Sequence, residues 1–254
     1  MSERVERPLQ LEDVIADAVS LGVDVVQLCD RPELESFTDH RLGELRAQAV
    51  EANLLLEVGT RGIAPAHLTR YLDLAGQLDA RLVRSMVPAD QAGDLSAAAD
   101  LLRGIGPAYA AAGVELALET YEQIPTADLV DLVARTGVAG IGVCLDLGNT
   151  VAGYEQPSTV IEIAAPHTLN VHVKDYRFTR AEGWVGFSFT GAPLGEGALD
   201  VDRLCAEVRA HRPGVSFVIE HWLPWQGDPV TTTGTERDWT ARAARLLDDR
   251  RAAA

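Results

Sequence analysis

The chain has 254 residues, with 22 Lys and Arg against 38 Asp and Glu, so its formal net charge is −16. This acidic balance, with no basic run, disfavours binding to nucleic acid or to an anionic membrane surface, because both need clustered Lys and Arg. The 47% share of hydrophobic residues and the 24% share of charged residues are typical of a globular protein.

The N-terminus and the cysteines indicate a cytoplasmic protein. Residues 1–10 are polar and lack the apolar core of a signal peptide. No apolar run approaches the ~20 residues that span a bilayer. Cys29, Cys144 and Cys205 are too few and too scattered for a disulfide framework or a CxxC metal site, and we expect reduced core residues. No linker divides the chain, so we predict one domain over residues 1–254.

Short apolar runs alternate with longer amphipathic stretches along the chain. Such near-continuous runs are typical of parallel strands that are buried on both faces. We predict seven strands, over residues 23–29, 54–59, 81–87, 114–120, 140–146, 168–175 and 215–221. Helical periodicity predicts eight helices, over residues 11–21, 39–51, 65–78, 94–112, 126–136, 158–165, 201–211 and 235–250.

This alternation, with short connections, predicts an α/β fold of the TIM (β/α)8-barrel type. A complete barrel would need a strand before the first helix, but residues 1–10 are not strand-like. We therefore expect seven clear strands, an irregular segment over residues 1–10 and a missing or irregular first strand. Residues 176–200 predict a long, lid-like loop, whose aromatic side chains would exclude water or contact another subunit.

Polar residues lie where four of the later strands end. They are Glu119, Asp146, His172 and Glu220, and the first three are 27 and 26 residues apart, one βα unit each. Because the carboxyl ends of barrel strands share one face, we expect these side chains to converge. A single acid there is more often a helix cap, and a single strand histidine is more often a core residue. Four together form a mainly oxygen donor set that suits Mn²⁺, Mg²⁺, Co²⁺ or Zn²⁺.

Six segments carry a wider resemblance: LGVDVVQL (21–28), LALET (116–120), VCLDLGN (143–149), VHVKD (171–175), PLGEGALD (193–200) and IEHW (219–222). In this order the chain resembles the xylose isomerase-like TIM barrel superfamily, which includes sugar isomerases and epimerases, from about residue 11 to the end. The resemblance implies that Glu119, Asp146, His172 and Glu220 bind one divalent metal ion, with Mn²⁺ favoured. It also implies that Glu119 and Glu220 act as acid and base.

Other polar residues are candidates for contact with the substrate. Lys174 shares a strand face with His172, and we predict a catalytic residue that neutralises an enediolate oxygen or binds a substrate carboxylate; a buried barrel lysine is the alternative. Glu57 and Arg84 end two further strands and are predicted to bind substrate, with an ion pair between them as the alternative. Asn149 falls where some relatives carry a histidine that touches substrate, and it could bind a hydroxyl.

His221 and Trp222, directly after Glu220, are further substrate-binding candidates; His221 is the weaker one, and a scaffold role is the alternative for it. The leading hypothesis is a metal-dependent isomerase or epimerase of a small keto or hydroxy sugar or sugar acid. In it, the metal ion stabilises an enediolate and a carboxylate moves the proton.

The same enediolate could serve a decarboxylase (a lyase) of a 3-oxo sugar acid. The segments VGFSFTGAPLGEG and EHWLPWQGD resemble barrel proteins of this superfamily that act as 3-oxo-isoapionate decarboxylases. A non-catalytic sugar-binding barrel is less favoured, because the four-residue set is intact. A DNA repair enzyme like endonuclease IV needs a basic face that this chain lacks. The expected partner is a small sugar or sugar acid, and a homodimer or homotetramer is consistent with the superfamily.

Overall fold

The structure is a computed structural model, and it describes residues 9–252. Its strands, in chain order, are β1 Val25–Leu28, β2 Leu55–Gly59, β3 Leu82–Ser85, β4 Glu115–Glu119, β5 Ile141–Asp146, β6 Thr168–Val173, β7 Asp175–Arg180, β8 Phe187–Ala192 and β9 Ser216–Ile219. Its α-helices are α1 Leu11–Leu21, α2 Asp39–Glu51, α3 Pro65–Leu78, α4 Leu95–Ala112, α5 Thr126–Thr136, α6 Leu147–Ala152, α7 Pro157–Ala164, α8 Val201–His211 and α9 Pro229–Ala252.

Seven parallel strands within residues 9–252 form one sheet, in the order β1-β2-β3-β4-β5-β6-β9. Each strand pairs with the next in parallel register, from Val25 opposite Leu55 in the first pair to His172 opposite Val218 in the last. The sheet curls into a nearly closed barrel with the helices around it, which confirms the predicted TIM barrel with one irregular strand position. The segment predicted to be irregular, residues 1–10, lies mostly outside the described residues, and Leu9 and Gln10 lie in neither a helix nor a strand.

The helices pack on the barrel through faces that recur every three or four residues. In α3, Leu68, Tyr71, Leu74 and Leu78 lie on one face, and all four are buried. This spacing is that of an amphipathic helix with one face on a core. Two helices differ from the prediction: the short α6 was not predicted, and α9 begins at Pro229 instead of residue 235. No helix in the described part of the chain is long and apolar enough to cross a membrane.

The predicted loop over residues 176–200 is, for more than half its length, a β-hairpin. Strands β7 and β8 pair antiparallel, from Asp175 opposite Ala192 to Arg180 opposite Phe187. The hairpin was not predicted, because the aromatic residues of this segment are also typical of a lid-like loop. The carboxylate of Asp175 holds the base of the hairpin, since it accepts hydrogen bonds from the backbone N–H groups of Gly195, Gly197 and Leu199.

Within residues 9–252 the barrel does not close, and a seam remains between the edge strands β1 and β9. A cavity of about 2510 Å³ opens along this seam and is lined by β1, β9, α1 and α9. No backbone ladder joins β1 to β9 in the described residues, but inside the barrel the Nε2 of Gln27 on β1 donates to the Oδ1 of Asn170 on β6 at 3.2 Å. The seam lies where the missing strand of a complete barrel would lie.

Candidate metal centre and active site

The four predicted ligands meet at the carboxyl end of the barrel. Glu119 ends β4, Asp146 ends β5, His172 lies in β6 opposite Asp146, and Glu220 follows β9. Each offers one ligand atom, and these atoms all lie within 4.8 Å of one another. Glu119, Asp146 and His172 are buried, whereas the side chain of Glu220 is 38% exposed. The convergence that the strand spacing predicts is therefore present, and Glu220 is the most exposed of the four predicted ligands.

The donor set fits a divalent metal ion. Glu119 Oε2, Asp146 Oδ2 and His172 Nδ1 are buried, and their neighbours in the described structure are the charged side chains of Arg84, Lys174 and Glu220, respectively. The carboxylates of Glu119, Asp146 and Glu220 lie close together, and a divalent cation among them would offset the repulsion between them. These residues are thus able to hold an ion with mainly oxygen ligands, such as Mn²⁺ or Mg²⁺.

The electrostatics of the cluster differ from one residue to the next. Burial raises the pKa of the Asp146 carboxyl to about 6. Burial alone would also raise the pKa of Glu220, but the hydrogen bond from His172 and the charge of Lys174 outweigh it and lower the pKa to about 2. For His172, the effect of burial is outweighed by Cys144 and the two glutamates, which raise the pKa well above its ordinary value. Glu220 is accordingly ionised at neutral pH.

Lys174 lies inside the cluster. Its Nζ is 2.9 Å from Asp146 Oδ2 and 2.7 Å from Glu220 Oε1, and the residue is 2% exposed. The ring of Trp222 lies against it, with Nζ 4.5 Å from the ring centroid. The ammonium group therefore contacts two of the four predicted ligands directly, and it remains a candidate for contact with the substrate.

Arg84 pairs with Glu119 and not with Glu57, so the ion pair weighed as an alternative is wrong. The Arg84 guanidinium contacts Glu119 Oε2 inside the barrel and donates to the carbonyl of Thr60 at 3.0 Å. Glu57 lies lower in the barrel, where it accepts hydrogen bonds from Gln27 at 2.9 Å and Ser216 at 2.7 Å. Burial raises its pKa. Arg84 thus contacts a predicted ligand, whereas Glu57 contacts residues deeper in the barrel.

Gln27 is a functional candidate that the sequence analysis missed. Its Oε1 lies 2.7 Å from His172 Nε2. A proton on Nε2 that is donated to this oxygen leaves Nδ1 facing Glu119 and Glu220, which is how a neighbouring group fixes the tautomer of a metal-binding histidine. The signal was in the sequence, because Gln27 is the one uncharged polar residue in the apolar run VVQLC.

The remaining candidates differ in position. Asn149 donates to Glu119 Oε1 at 3.0 Å, and its backbone N–H is capped by Asp146 Oδ1 at 3.1 Å, so Asp146 is both a helix cap and a predicted ligand. Trp222 covers Lys174 and packs edge-on against Phe189 of the hairpin. His221 turns away towards α9, with its Nε2 3.2 Å from Thr240 Oγ1. The structure therefore brings Asn149 and Trp222 to the cluster but not His221.

A softer donor set overlaps the first one. Glu119, Cys144 and His172 also offer ligand atoms within 4.8 Å of one another. Burial raises the pKa of the Cys144 thiol to about 11, so this sulfur is a neutral thiol at neutral pH. The oxygen-rich set is therefore the better candidate for Mn²⁺ or Mg²⁺.

Comparison with known proteins places the chain in a family. Residues 15–249 match the model of the xylose isomerase-like TIM barrel family. The chain is 40% identical, over 247 residues, to a 3-oxo-isoapionate decarboxylase of Pectobacterium atrosepticum (strain SCRI 1043), covering 97% of this chain and 90% of that protein.

Two solved structures share the fold. One is a D-psicose 3-epimerase in the presence of D-fructose, with a TM-score of 0.74 and 16% identity, covering 94% of this chain and 92% of the other. The second is a xylose isomerase-like TIM barrel protein from Mycobacterium smegmatis in complex with magnesium, with a TM-score of 0.70 and 18% identity, covering 93% and 89%. At these identities they show the fold alone. The family model matches residues 15–249, which is most of the chain, and this match shows that the chain belongs to the xylose isomerase-like TIM barrel family.

Proposed function

We propose that the chain is a divalent-metal-dependent decarboxylase of a 3-oxo sugar acid. The observation that carries this proposal is the 40% identity, over 97% of the chain, to a 3-oxo-isoapionate decarboxylase. The site supports it, because a cationic Lys174 lies beside a donor set that fits a divalent ion. The order of the two hypotheses from the sequence is thereby reversed, with the lyase before the isomerase or epimerase.

The reaction needs charge stabilisation and one proton. The bond between the carboxylate carbon and its neighbour breaks, CO₂ leaves, and the electron pair passes into the ketone to give an enolate. A proton then adds to the carbon that lost CO₂, so that a 3-oxo acid anion and one proton become a ketone and CO₂. A divalent ion held by Glu119, Asp146, His172 and Glu220 would supply a Lewis acid that stabilises the negative charge on the ketone oxygen.

The side chains around the cluster have separate roles in this proposal. Lys174 donates hydrogen bonds to an anionic oxygen of the substrate, where a fixed positive charge stabilises the developing enolate. The proton that the substrate carbon takes up comes from solvent on the side of Glu220, which is the most exposed of the four residues. Arg84 contacts the buried Glu119 carboxylate directly and offsets its negative charge. Trp222 and the hairpin residue Phe189 cover the site and exclude water.

An isomerase or epimerase is the second candidate. One observation favours it: Glu119 Oε1 and Glu220 Oε2 both lie close to His172 Nδ1, at 3.5 and 3.2 Å, so two carboxylates flank the same point. Such a pair could remove a proton from a sugar carbon and return one to it.

The test is a panel of 3-oxo sugar acids and keto sugars with Mn²⁺ in D₂O, followed by NMR and CO₂ detection. We expect CO₂ release from a 3-oxo acid and one deuterium in the product, with loss of turnover after chelation and recovery with Mn²⁺. Deuterium in recovered keto sugar without CO₂ would contradict the proposal and favour the second candidate. Mn²⁺ as the native ion, a cytoplasmic site of action and a homodimer or homotetramer stay predictions.

A further inference from the structure

Lys174 is the only lysine in the chain, because 21 of the 22 Lys and Arg residues are arginines. It lies in the middle of the acidic cluster, where it is 2% exposed. An arginine would bring a wide planar fork, whereas a lysine brings a compact point charge with three N–H donors. A lysine at this position therefore suits the space between the carboxylates better than an arginine would.

The contacts of Nζ use the donors of the ammonium group. Nζ donates to Glu220 Oε1 at 2.7 Å and to Asn149 Oδ1 at 3.4 Å, and it lies 2.9 Å from Asp146 Oδ2. The stem of the side chain is also enclosed: a Cβ added at Gly148 would lie 2.9 Å from Lys174 Cγ. The lysine is thus packed into a defined position between two of the four predicted ligands.

In this position Lys174 is bound to two of the carboxylates that would also bind the divalent ion. Asp146 and Glu220 supply half of the donor set, and their oxygens are bonded to a positive charge. A divalent cation that binds the same two carboxylates would be repelled by an ammonium group that remained between them. Trp222 offers Nζ another favourable neighbour, since its ring centroid lies 4.5 Å away.

We propose that Lys174 is a built-in counter-ion of the metal site: it bridges Asp146 and Glu220 when no divalent ion is bound, is displaced from them when the ion binds, and then presents Nζ to an anionic oxygen of the substrate. The inference rests on the metal site of the proposed function. In this arrangement the ammonium group offsets the repulsion between two carboxylates that the strand ends bring together. It also means that the ion must compete with a tethered charge, which lowers its apparent affinity.

The first test compares Mn²⁺ affinity by calorimetric titration in the wild type, in Lys174→Met and in the control Arg135→Met. Arg135 is half-exposed on α5 and pairs with Asp131, so the control removes the same charge away from the cluster. Loss of the competing charge should tighten Mn²⁺ binding by about tenfold in Lys174→Met, with the control within about twofold of wild type.

Thermal unfolding provides a second readout on the same proteins. Metal-free Lys174→Met should unfold at a lower temperature than the wild type, and Mn²⁺ should raise its midpoint by more. Equal or weaker Mn²⁺ binding by Lys174→Met would overturn the inference and leave the metal site intact. If neither wild type nor Lys174→Met binds a divalent ion, the metal-dependent function fails as well.

The single lysine allows a direct observation. Protein labelled only at lysine with ¹³C gives side-chain NMR signals from Lys174 alone. Titration with Mg²⁺ or Zn²⁺, which are diamagnetic, should move the ¹³Cε signal as the ammonium group leaves Asp146 and Glu220. A signal that stays in place while calorimetry records binding of the same ion would show that Lys174 is not displaced.

Discussion

The closed side of the barrel and the seam hold the predicted ligands in different ways. Glu119, Asp146 and His172 lie on β4, β5 and β6, each of which is paired on both sides, and all three residues are buried. Glu220 follows the edge strand β9, and its side chain is 38% exposed. The site thus combines three predicted ligands on strands paired on both sides with one beside an edge strand, so substitutions on the two sides should differ in their effect on stability.

The largest effect is expected on the closed side. Glu119→Gln should lower turnover by at least about a thousandfold, because it removes a predicted ligand that is also a candidate acid or base. It should also lower the free energy of unfolding by about 3 kcal/mol, because Arg84 stays buried without its partner. Assays and urea unfolding measure both, with the exposed Glu162→Gln as control. Unchanged stability would mean that the Arg84 contact is unimportant.

Glu220→Gln should separate the two properties. It should reduce turnover nearly as much, but the free energy of unfolding should change by only about 1 kcal/mol, because the side chain is partly solvated. The same urea titration checks this. A loss of stability equal to that of Glu119→Gln would remove the distinction between the closed side and the seam.

Gln27→Leu tests whether the seam contributes to the site. With the 2.7 Å contact to His172 Nε2 gone, the imidazole is free to change tautomer and orientation, and Mn²⁺ affinity should fall by about 10–100-fold. Calorimetric titration measures the affinity. Affinity equal to that of the wild type would show that His172 is held by its own strand alone.

The smallest effect concerns pH and His221, next to the seam. Burial lowers the pKa of His221 to about 4, so the folded protein holds a neutral imidazole. Its contribution to stability is present above the unfolded pKa near 6.5 and is lost as the pH falls towards 4. His221→Gln should therefore lose less stability than the wild type between pH 7 and pH 5, by at most about 2 kcal/mol. Parallel urea curves would argue against a buried neutral imidazole.

Strand positions and the convergence of Glu119, Asp146, His172 and Glu220 were predictable because both depend on local patterns. Apolar runs mark buried strands, and residues that end successive strands must meet at one face. The partner of Arg84 was not predictable in this way, because Glu57 on β2 and Glu119 on β4 lie on the two strands that flank β3, and only side-chain geometry distinguishes them. Gln27 needed a contact across 145 residues of sequence, which no local period reports. The hairpin β7–β8 was missed because its residues also suit a lid loop.

The bridge from Gln27 to His172 couples the ends of the sheet. It joins β1, at one edge, to β6, which pairs with the other edge strand. An ion bound at His172 would favour the arrangement in which this bridge is made, and so would stabilise the closure of the barrel although no residue of β1 is a ligand. Ion binding should thereby slow amide hydrogen exchange in β1. The exchange rate of this edge strand would then measure ion binding at the centre of the barrel.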